Sequence, residues 1–210
     1  MRPILGKVFW EHILQPYLFH KDPENAHHAT IRMLENLQIC RLSRIAASIW
    51  KSPYVEMPIT VGGVPWRNPV GIAAGFDKDA RVVPFLDALG FGAIEVGTTT
   101  PFIQLGNLKP RVFRYPDKKA IINRYGFNSE GVCAIARRIQ KVHAAYNIKA
   151  AIGISFGKNK ATPADIMLND YIYAARILMP VLRVGRDYLK INISSPNTHG
   201  LRDTFTTLDT

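Results

Sequence analysis

The sequence has few cysteines and no long hydrophobic run. Its two cysteines, Cys40 and Cys133, are too few for a disulfide framework and lack metal-ligand spacing, which excludes a disulfide-stapled secreted scaffold. Both lie in predicted helices, where we expect them to be small buried hydrophobic residues. No apolar run reaches the length of a spanning helix, and none precedes a small-residue cleavage site. The sequence therefore favours a soluble globular protein of a reducing compartment, without a secretion signal.

Signatures of metal and nucleotide sites are missing as well. No set of His, Cys or carboxylate residues has metal-ligand spacing. The segment Gly71–Lys78 lacks the Gly-x-Gly-x-x-Gly spacing of a dinucleotide-binding turn. Gly153–Lys158 resembles a P-loop, but only three residues separate its glycines, and Asn159 stands where Ser or Thr is required. We therefore expect no metal site and neither of these nucleotide sites.

Acidic residues are scarce relative to basic ones. The chain has 16 Asp and Glu against 27 Lys and Arg, a formal net charge of +11, which raises the question of nucleic acid or an anionic membrane. The basic residues are spread out, however, in short pairs such as Lys118-Lys119, without the interleaved aromatic residues of RNA-binding motifs. We expect no nucleic-acid partner, and we attribute the charge to an anionic small substrate or a lipid surface.

The first fifty residues have the pattern of amphipathic helices. An apolar stripe from Ile4 to Ile13 precedes Pro16, which is expected to end the first helix. Asp22-Pro23-Glu24 then has the signature of a helix start. The apolar stripe of that second helix is Ala26, Ala29, Met33, Leu37 and Cys40. Periodicity alone favours helices that simply pack on the rest of the protein; the alternative is a hairpin that meets a membrane and a lipid-like ligand.

From Pro53 onward, apolar runs alternate with helical segments. Gly62-Gly63 predicts a two-residue hairpin turn between Val55–Val61 and Val64–Trp66. Continuous apolar runs separated by helices are typical of parallel strands covered on both faces. The predicted strands are Val70–Gly75, Ala93–Thr98, Ala151–Gly157 and Tyr188–Ser194, and the predicted helices are Ala80–Leu89, Ser129–Tyr146 and Pro163–Leu182. The fold class is α/β, with a helical extension over residues 1–52 and a β/α domain over residues 53–210. A TIM-type barrel fits better than an open dinucleotide-binding sheet.

All four predicted strands end in glycine or polar residues. The most informative end is Lys190–Thr198, where amides and hydroxyls follow an apolar run, although an Asn/Ser/Pro turn would explain that segment by itself. Lys78 offers a point charge for a carboxylate or an anionic ring. The amides of Asn123, Asn192 and Asn197 each offer a donor and an acceptor, which suits the alternating C=O and N–H edge of a pyrimidine. The strand ends therefore predict a ligand site.

Several motifs together resemble one enzyme family. They are Ala73–Asp79 (AAGFDKD), Glu95–Pro101 (EVGTTTP), Gly106–Arg114 (GNLKPRVFR), Ile122–Asn128 (INRYGFN), Gly157–Lys160 (GKNK) and Asn192–Arg202 (NISSPNTHGLR). In order and spacing, from about residue 3 to residue 203, the chain resembles the class 2, quinone-dependent dihydroorotate dehydrogenases. The start of the second helix, Asp22–His27, resembles that class's N-terminal extension as well.

The resemblance implies a (β/α)8 barrel that binds FMN. It implies oxidation of dihydroorotate to orotate in pyrimidine synthesis, with electrons passed through FMN to ubiquinone. The helices of residues 1–52 would bind the quinone and attach peripherally to the cytoplasmic side of a bacterial inner membrane. This implication favours the membrane interpretation of the helices over simple packing.

The resemblance also assigns roles to residues by position. Ser195 matches the base that takes a proton from C5 of the substrate, and it indicates class 2, since class 1 enzymes have Cys there. The matching substrate positions are Lys78, Asn123, Arg124, Tyr125, Gly126, Phe127, Asn192 and Asn197. The matching FMN positions are Ala74, Gly75, Phe76, Asp77, Lys78, Thr98, Ser155 and Asn192. The segment His199-Gly200-Leu201 is predicted to act as a lid.

The sequence departs from the family in three places. Ser155 stands where the family usually has an FMN-contacting Asn, and His199 replaces the usual Pro after Asn-Thr. The third departure is length: the family continues with four more β/α units, so we expect a truncated half-barrel with two open edges. Such a chain would need a missing C-terminal half or would pair with itself. The alternatives are a non-catalytic remnant and another barrel oxidoreductase or lyase that binds a planar anion.

Overall fold

The computed structural model describes residues 7–50 and 57–194. Helices occupy the first part of the chain, as predicted. A π-helical turn at Trp10–Leu14 leads into helix α1 (Gln15–Phe19), which is followed by helix α2 (Pro23–Ile39) and helix α3 (Ser43–Trp50). Within the described residues, no helix is long and apolar enough to cross a membrane.

The first helical segment does not end at Pro16. Pro16 is the second residue of α1, so the chain remains helical to Phe19. The chain is already helical before Pro16, through a π-helical turn in which the backbone N–H of Gln15 bonds to the carbonyl of Trp10. This turn moves the chain out of regular α-helical spacing just before the proline ring, where a regular helix would require an N–H that proline lacks. The predicted stop was therefore wrong.

Helix α2 begins as predicted, and its predicted stripe is only partly buried. The carboxylate of Asp22 accepts a hydrogen bond from the backbone N–H of Asn25 (3.0 Å), which confirms the N-cap. Ala26 of the stripe is buried and Leu37 packs on the core, whereas Met33 and Cys40 are exposed. Ile31, Leu34 and Gln38, outside the stripe, are buried as well. Gln38 is buried because its amide pairs with main chain, donating to the carbonyl of Arg81 (2.7 Å) and accepting from the N–H of Phe85 (2.9 Å). A polar residue with such partners cannot be recognised from an apolar stripe.

The centre of the protein is a four-stranded parallel sheet. Its strands β3 (Gly71–Asp77), β4 (Ala93–Thr99), β7 (Ala151–Phe156) and β8 (Tyr188–Ile191) neighbour one another in that order. The connections contain helices α4 (Val83–Leu89), α5 (Val132–Ala145) and α6 (Met167–Leu178). This order is that of four consecutive strands of a β/α barrel. The α/β fold class is therefore confirmed, with the helical extension placed before the sheet.

Two antiparallel hairpins complete the described fold. Strands β1 (Ile59–Val61) and β2 (Val64–Trp66) pair across Gly62-Gly63, as predicted. Both glycines have positive φ, as a type I′ turn requires. A second hairpin, β5 (Val112–Tyr115) with β6 (Ala120–Asn123), lies in the insertion between β4 and α5 and was not predicted.

The two faces of the sheet differ in how they are covered. One face packs on helices in a single hydrophobic core that includes Ile94, Val96, Ile152, Ile154 and Phe156 of the strands and Ile31 and Leu34 of α2. On the other face, Gly71, Ala73 and Gly75 of β3 are exposed. The expectation that both faces of every strand are covered therefore holds for the fully buried strand β7 and fails for β3.

Both cysteines are exposed, contrary to expectation. Cys133 lies on α5, whose buried residues Val132, Ile135 and Ile139 recur at the spacing of one helix face. Cys133 is one position off that face. Cys40 is the C-cap residue of α2 and follows the exposed Ile39.

Gly92 marks a point where two backbone segments touch. A Cβ atom on Gly92 would lie 1.9 Å from the carbonyl oxygen of Asn68 and 2.9 Å from its carbonyl carbon. Because main chain must move to relieve this overlap, we expect Gly92→Ala to lower the free energy of unfolding by about 3 kcal/mol in chemical denaturation. Gly71→Ala is the matched control, since its nearest contacts lie at 3.3–3.5 Å. Equal losses in the two variants would contradict the predicted clash.

Candidate active site

Polar side chains from three adjacent strands meet at the C-terminal edge of the sheet. Thr98 of β4, Ser155 of β7 and Asn192, just after β8, form a hydrogen-bonded set that we call the strand-end triad. The hydroxyls of Thr98 and Ser155 lie 2.8 Å apart, and the amide nitrogen of Asn192 donates to the hydroxyl of Thr98 (2.8 Å). Ser155 is fully buried and Thr98 is nearly so. The structure thus brings together three residues that sequence reasoning placed at the cofactor.

The backbone around Asn192 fixes the orientation of its amide. Its backbone N–H donates to the carbonyl of Phe156 (2.8 Å), and its side-chain oxygen accepts from the backbone N–H of Ser194 (3.2 Å). With the oxygen so engaged, the amide nitrogen is directed to Thr98. The hydroxyl of Tyr171 donates to the carbonyl of Asn192 and holds this turn from the helix side (3.2 Å).

Lys78 follows β3 at the same edge of the sheet. It is half-buried, and its ammonium group lies 5.3 Å from the ring centre of Tyr125. Burial lowers the pKa of Lys78 to about 8, and the nearby charge of Arg111 acts in the same direction, whereas Asp79 and Glu24 oppose them. Lys78 is therefore a cation at neutral pH that loses its charge in mildly alkaline solution.

A second cation lies near the ring of Tyr125. The guanidinium carbon of Arg111 is also 5.3 Å from the ring centre of Tyr125. Cations at this distance are attracted to the electron-rich face of an aromatic ring. Burial, together with the negative charge of Glu24, raises the pKa of Tyr125 to about 12. Tyr125 is consequently a neutral phenol at the edge of the site.

Hydrogen bonds to backbone carbonyls hold the Asn123–Phe127 segment, whose Tyr125 ring lies beside Lys78. Gly126 and Phe127 are buried and both have positive φ, and their carbonyls accept hydrogen bonds from the amide of Gln104. Asn123 and Arg124 are exposed. The guanidinium of Arg124 donates to the carbonyl of Pro110. These contacts fold the segment into one defined shape.

The end of β3 offers both open space and rigid support. Gly75 has φ +117°, and a Cβ atom there would meet nothing within 4 Å. Ala74 donates its N–H to Glu95 (3.4 Å), and the ring of Phe76 packs edge-on against His27. The side chain of Asp77 instead caps the following turn, accepting from the backbone N–H groups of Arg81 and Val82 (2.8 Å each).

Asp77 is therefore a structural side chain in this fold. Burial raises the pKa of its carboxyl to about 6. The two backbone N–H donors lower the pKa, but burial outweighs them. Because both carboxyl oxygens are engaged by the turn, the part of Asp77 left to face a ligand is its backbone.

A cavity of about 230 Å³ lies between α2 and the end of β3. Its lining includes His27 and His28 of α2, with Phe76, Lys78, Asp79 and Glu130. One wall is an ion-pair network in which Glu130 binds both Arg81 and Arg138. The cavity thus joins the N-terminal helices to the strand end that carries Lys78.

The predicted base Ser195, the predicted substrate residue Asn197 and the predicted lid His199-Gly200-Leu201 lie outside the described part of the chain. Among residues 7–50 and 57–194, no group of three or more His, Cys, Asp or Glu side chains could hold a metal ion.

Comparison with known proteins identifies the family of this site. The family model described as "Dihydroorotate dehydrogenase" matches residues 57–209. The chain belongs to the dihydroorotate dehydrogenase family. A relative from Acidithiobacillus ferrooxidans, named dihydroorotate dehydrogenase (quinone), is 48% identical over 192 residues, which are 90% of this chain and 51% of the relative. A relative of the same name from Leptothrix cholodnii is 40% identical over 190 residues, 90% of this chain and 53% of the relative.

Solved structures of the family agree with the fold. The dihydroorotate dehydrogenase of Eimeria tenella, in its crystal structure with ferulenol, superposes with a TM-score of 0.71 at 36% identity. The match covers 87% of this chain and 46% of that one. The ligand-free form of that enzyme gives a TM-score of 0.70. The chain spans about half the length of the curated dihydroorotate dehydrogenases that it matches.

Sequence reasoning missed two buried charges beside this family site. Glu24 and Arg111 form a close ion pair, although they are 87 positions apart in the chain. Both stand inside motifs that carry the family resemblance, but each looks like an ordinary surface charge in a polar segment. Only the packing of α2 against the insertion shows that they are buried together.

Proposed function

We propose that this chain contributes the flavin and substrate site for oxidation of dihydroorotate to orotate, a step of pyrimidine synthesis. The observation that carries the proposal is the position of the strand-end triad and Lys78 at one edge of a parallel sheet, in a chain of this family. In β/α barrels the C-terminal ends of the strands form the active site.

The residues at this edge fit FMN as the cofactor. The open space beside Gly75 admits a flat ring close to the backbone, and the partly exposed Asn192, whose amide is held by the buried Thr98, offers an amide group for polar ring atoms. Ser155 retains one hydroxyl where relatives usually have an amide, and its partner is Thr98 rather than solvent. The cation of Lys78 suits a ring system that gains negative charge. When bound, FMN would accept a hydride from the substrate and pass electrons to a quinone.

The substrate is an anion with amide edges, and the proposed contacts match that chemistry. Lys78 binds the carboxylate, and the amides of Asn123, Asn192 and Asn197 bind the pyrimidine edge. The backbone of residues 124–127 forms the wall of the substrate site next to Lys78. Ser195 takes the proton from C5. A serine hydroxyl is a weak base in water, so it requires a closed site, and the segment around His199 would close it.

The N-terminal helices are proposed to bind ubiquinone and a membrane surface. Phe9, Trp10, Ile13 and Tyr17 are exposed on the first helical segment, with the basic residues Lys7 and Lys21 beside them. Exposed aromatic and aliphatic residues flanked by lysine suit peripheral attachment to an anionic lipid surface. The location that follows is the cytoplasmic side of a bacterial inner membrane.

A second candidate is that the residues of this site act only together with another polypeptide. The observation behind it is the exposed face of β3 at Gly71, Ala73 and Gly75. Exposed sheet edges and faces of this kind favour association.

An anaerobic visible spectrum separates the two candidates. The chain with FMN should show a protein-bound flavin band that bleaches when (S)-dihydroorotate is added, because hydride transfer needs the site but not the quinone. The (R)-enantiomer is the control and should leave the band unchanged. Bound flavin that (S)-dihydroorotate does not bleach, or no bound flavin, would favour the candidate that needs a partner polypeptide.

A further inference from the structure

Helix α2 makes a buried ion pair with the insertion that follows β4. The carboxylate of Glu24 accepts from Nε of Arg111 (3.1 and 3.2 Å) and from Nη2 (2.7 Å). The Glu24 side chain is 3% exposed and that of Arg111 is 7% exposed. Burial alone would raise the pKa of Glu24, but Arg111 and its neighbours lower it to about 2. Burying a carboxylate and a guanidinium costs free energy unless the two groups are closely hydrogen-bonded to each other, as they are here.

The same guanidinium also organises the turn at residues 105–107. Nη1 of Arg111 donates to the carbonyls of Leu105 (2.6 Å) and Asn107 (3.0 Å). Asn107 in turn donates its backbone N–H to the carbonyl of Tyr125 and its side-chain amide to the carbonyl of Arg124 (2.9 Å each). The guanidinium of Arg111 is therefore one step removed from the backbone of the Asn123–Phe127 segment, and the carbonyl of Arg111 accepts directly from the backbone N–H of Arg124 (2.9 Å).

Arg111 reaches the site by a second route as well. Its guanidinium and the ammonium of Lys78 each lie 5.3 Å from the ring centre of Tyr125. A chain of contacts thus runs from Glu24 on the N-terminal helix, through Arg111 and Tyr125, to Lys78. Each link is a charged or aromatic side chain that is buried or half-buried.

We propose that Glu24 and Arg111 are positioning residues, by which helix α2 sets the place and charge of Lys78 and the shape of the Asn123–Phe127 segment. The proposal deepens the proposed function, because it assigns part of the orotate site to the helix that would bind the quinone. Neither residue touches the substrate itself. Both act through Tyr125, Lys78 and the turn at residues 105–107.

The charges around Lys78 make this coupling measurable. The groups that face it are Glu24 and His27 of α2, Arg111 and Tyr125 of the insertion, and Asp79 beside it in the chain. The charge of Glu24 raises the pKa of Lys78, and that of Arg111 lowers it. Removing Glu24's charge should therefore lower the pKa of Lys78, and removing Arg111's charge should raise it.

The test is competitive acetylation of Lys78 in the full chain at a series of pH values, read by mass spectrometry. The midpoint should lie near pH 8 in the unmodified chain, fall by about one pH unit in Glu24→Gln and rise in Arg111→Met. The double variant should return close to the original midpoint, because the two charges offset each other. It also leaves no unpaired buried charge, so it serves as the folded reference if a single variant fails to fold. Glu35→Gln, also on α2 but paired with Arg81, is the matched control and should not shift the midpoint.

An unchanged midpoint in both single variants would overturn the proposal, as would equal shifts in Glu24→Gln and Glu35→Gln. Loss of a purely structural ion pair would lower stability without changing the titration midpoint of Lys78.

Calorimetric titration with orotate separates this proposal from the proposed function. Shifted acetylation midpoints of Lys78 in a chain that binds no orotate would support the positioning role of Glu24 and Arg111 and contradict orotate as the ligand of this site. Orotate binding that weakens in Glu24→Gln, with its alkaline limit moved to lower pH, would support both.

Discussion

Replacing Lys78 with methionine should reduce the affinity for orotate by roughly 10- to 100-fold. A charge-assisted hydrogen bond contributes about 1.5–3 kcal/mol, and each 1.4 kcal/mol corresponds to about tenfold in affinity. Methionine keeps an unbranched apolar side chain at this position and removes the ammonium group beside Tyr125. Calorimetric titration of orotate at pH 7 measures the change directly.

The pH dependence of the same binding gives an independent check. The pKa of Lys78 is lowered to about 8, so its positive charge is present at neutral pH and is lost as the pH rises through that value. Orotate affinity in the unmodified chain should therefore fall between about pH 7 and pH 9, whereas Lys78→Met should lack this step. Lys118→Met is the control, since Lys118 is exposed in the turn between β5 and β6. Equal affinity in Lys78→Met and the unmodified chain would refute the role of Lys78.

Replacing Asp187 with alanine should lower the free energy of unfolding by about 3–5 kcal/mol, because it leaves a partly buried cation and several donors unpaired. The Asp187 side chain is fully buried and accepts hydrogen bonds from the backbone N–H groups of Ile152 and Arg183 and from the Arg183 guanidinium. Arg183 also donates to the carbonyls of Ile148 and Ala150. This cluster joins the start of β7 to the start of β8. Urea denaturation at pH 7 measures the loss.

The effect of Asp187 should depend on pH in a defined direction. Burial would raise its pKa, but His143, Arg183 and the backbone donors outweigh it and hold the pKa well below the ordinary value. A carboxyl group whose pKa is lower in the folded state than in the unfolded state stabilises the fold above about pH 4. This stabilisation is lost as the pH falls further. The difference between Asp187→Ala and the unmodified chain should thus be constant from pH 7 to pH 5 and shrink below pH 4. Asp165→Ala, at an exposed position, should change little, and a comparable loss there would contradict the assignment.

The regular elements were predictable because their signals are local. Strands β4 and β7 are continuous apolar runs, and the structure places both within one residue of the prediction. The Gly62-Gly63 turn was predictable because positive φ at two adjacent positions favours glycine. The hairpin β5–β6 was missed because its strands have four residues each, and its turn places Lys119, not glycine, at positive φ.

The candidate site was only partly predictable, for a different reason. Thr98, Ser155 and Asn192 could be grouped in advance, because the ends of adjacent parallel strands share one edge. The buried pair Glu24–Arg111 and the buried Gln38 depend on which face of α2 packs against helix α4 and the insertion. The apolar stripe located that face only in part, since polar side chains with main-chain or ionic partners are buried there. The capping role of Asp77 likewise depends on a turn whose shape is not encoded by periodicity.

The ion pair between Glu24 and Arg111 has a consequence for protein engineering and for divergence within the family. A chimera that receives the N-terminal helices of another member inherits a new residue at position 24, while position 111 remains with the host. If the residues at positions 24 and 111 do not pair, one charge stays buried without a partner. The altered property is then the charge and position of Lys78, not the structure of the grafted helices. The unit of exchange is therefore helix α2 together with the insertion, and substitutions at positions 24 and 111 should be inherited as pairs.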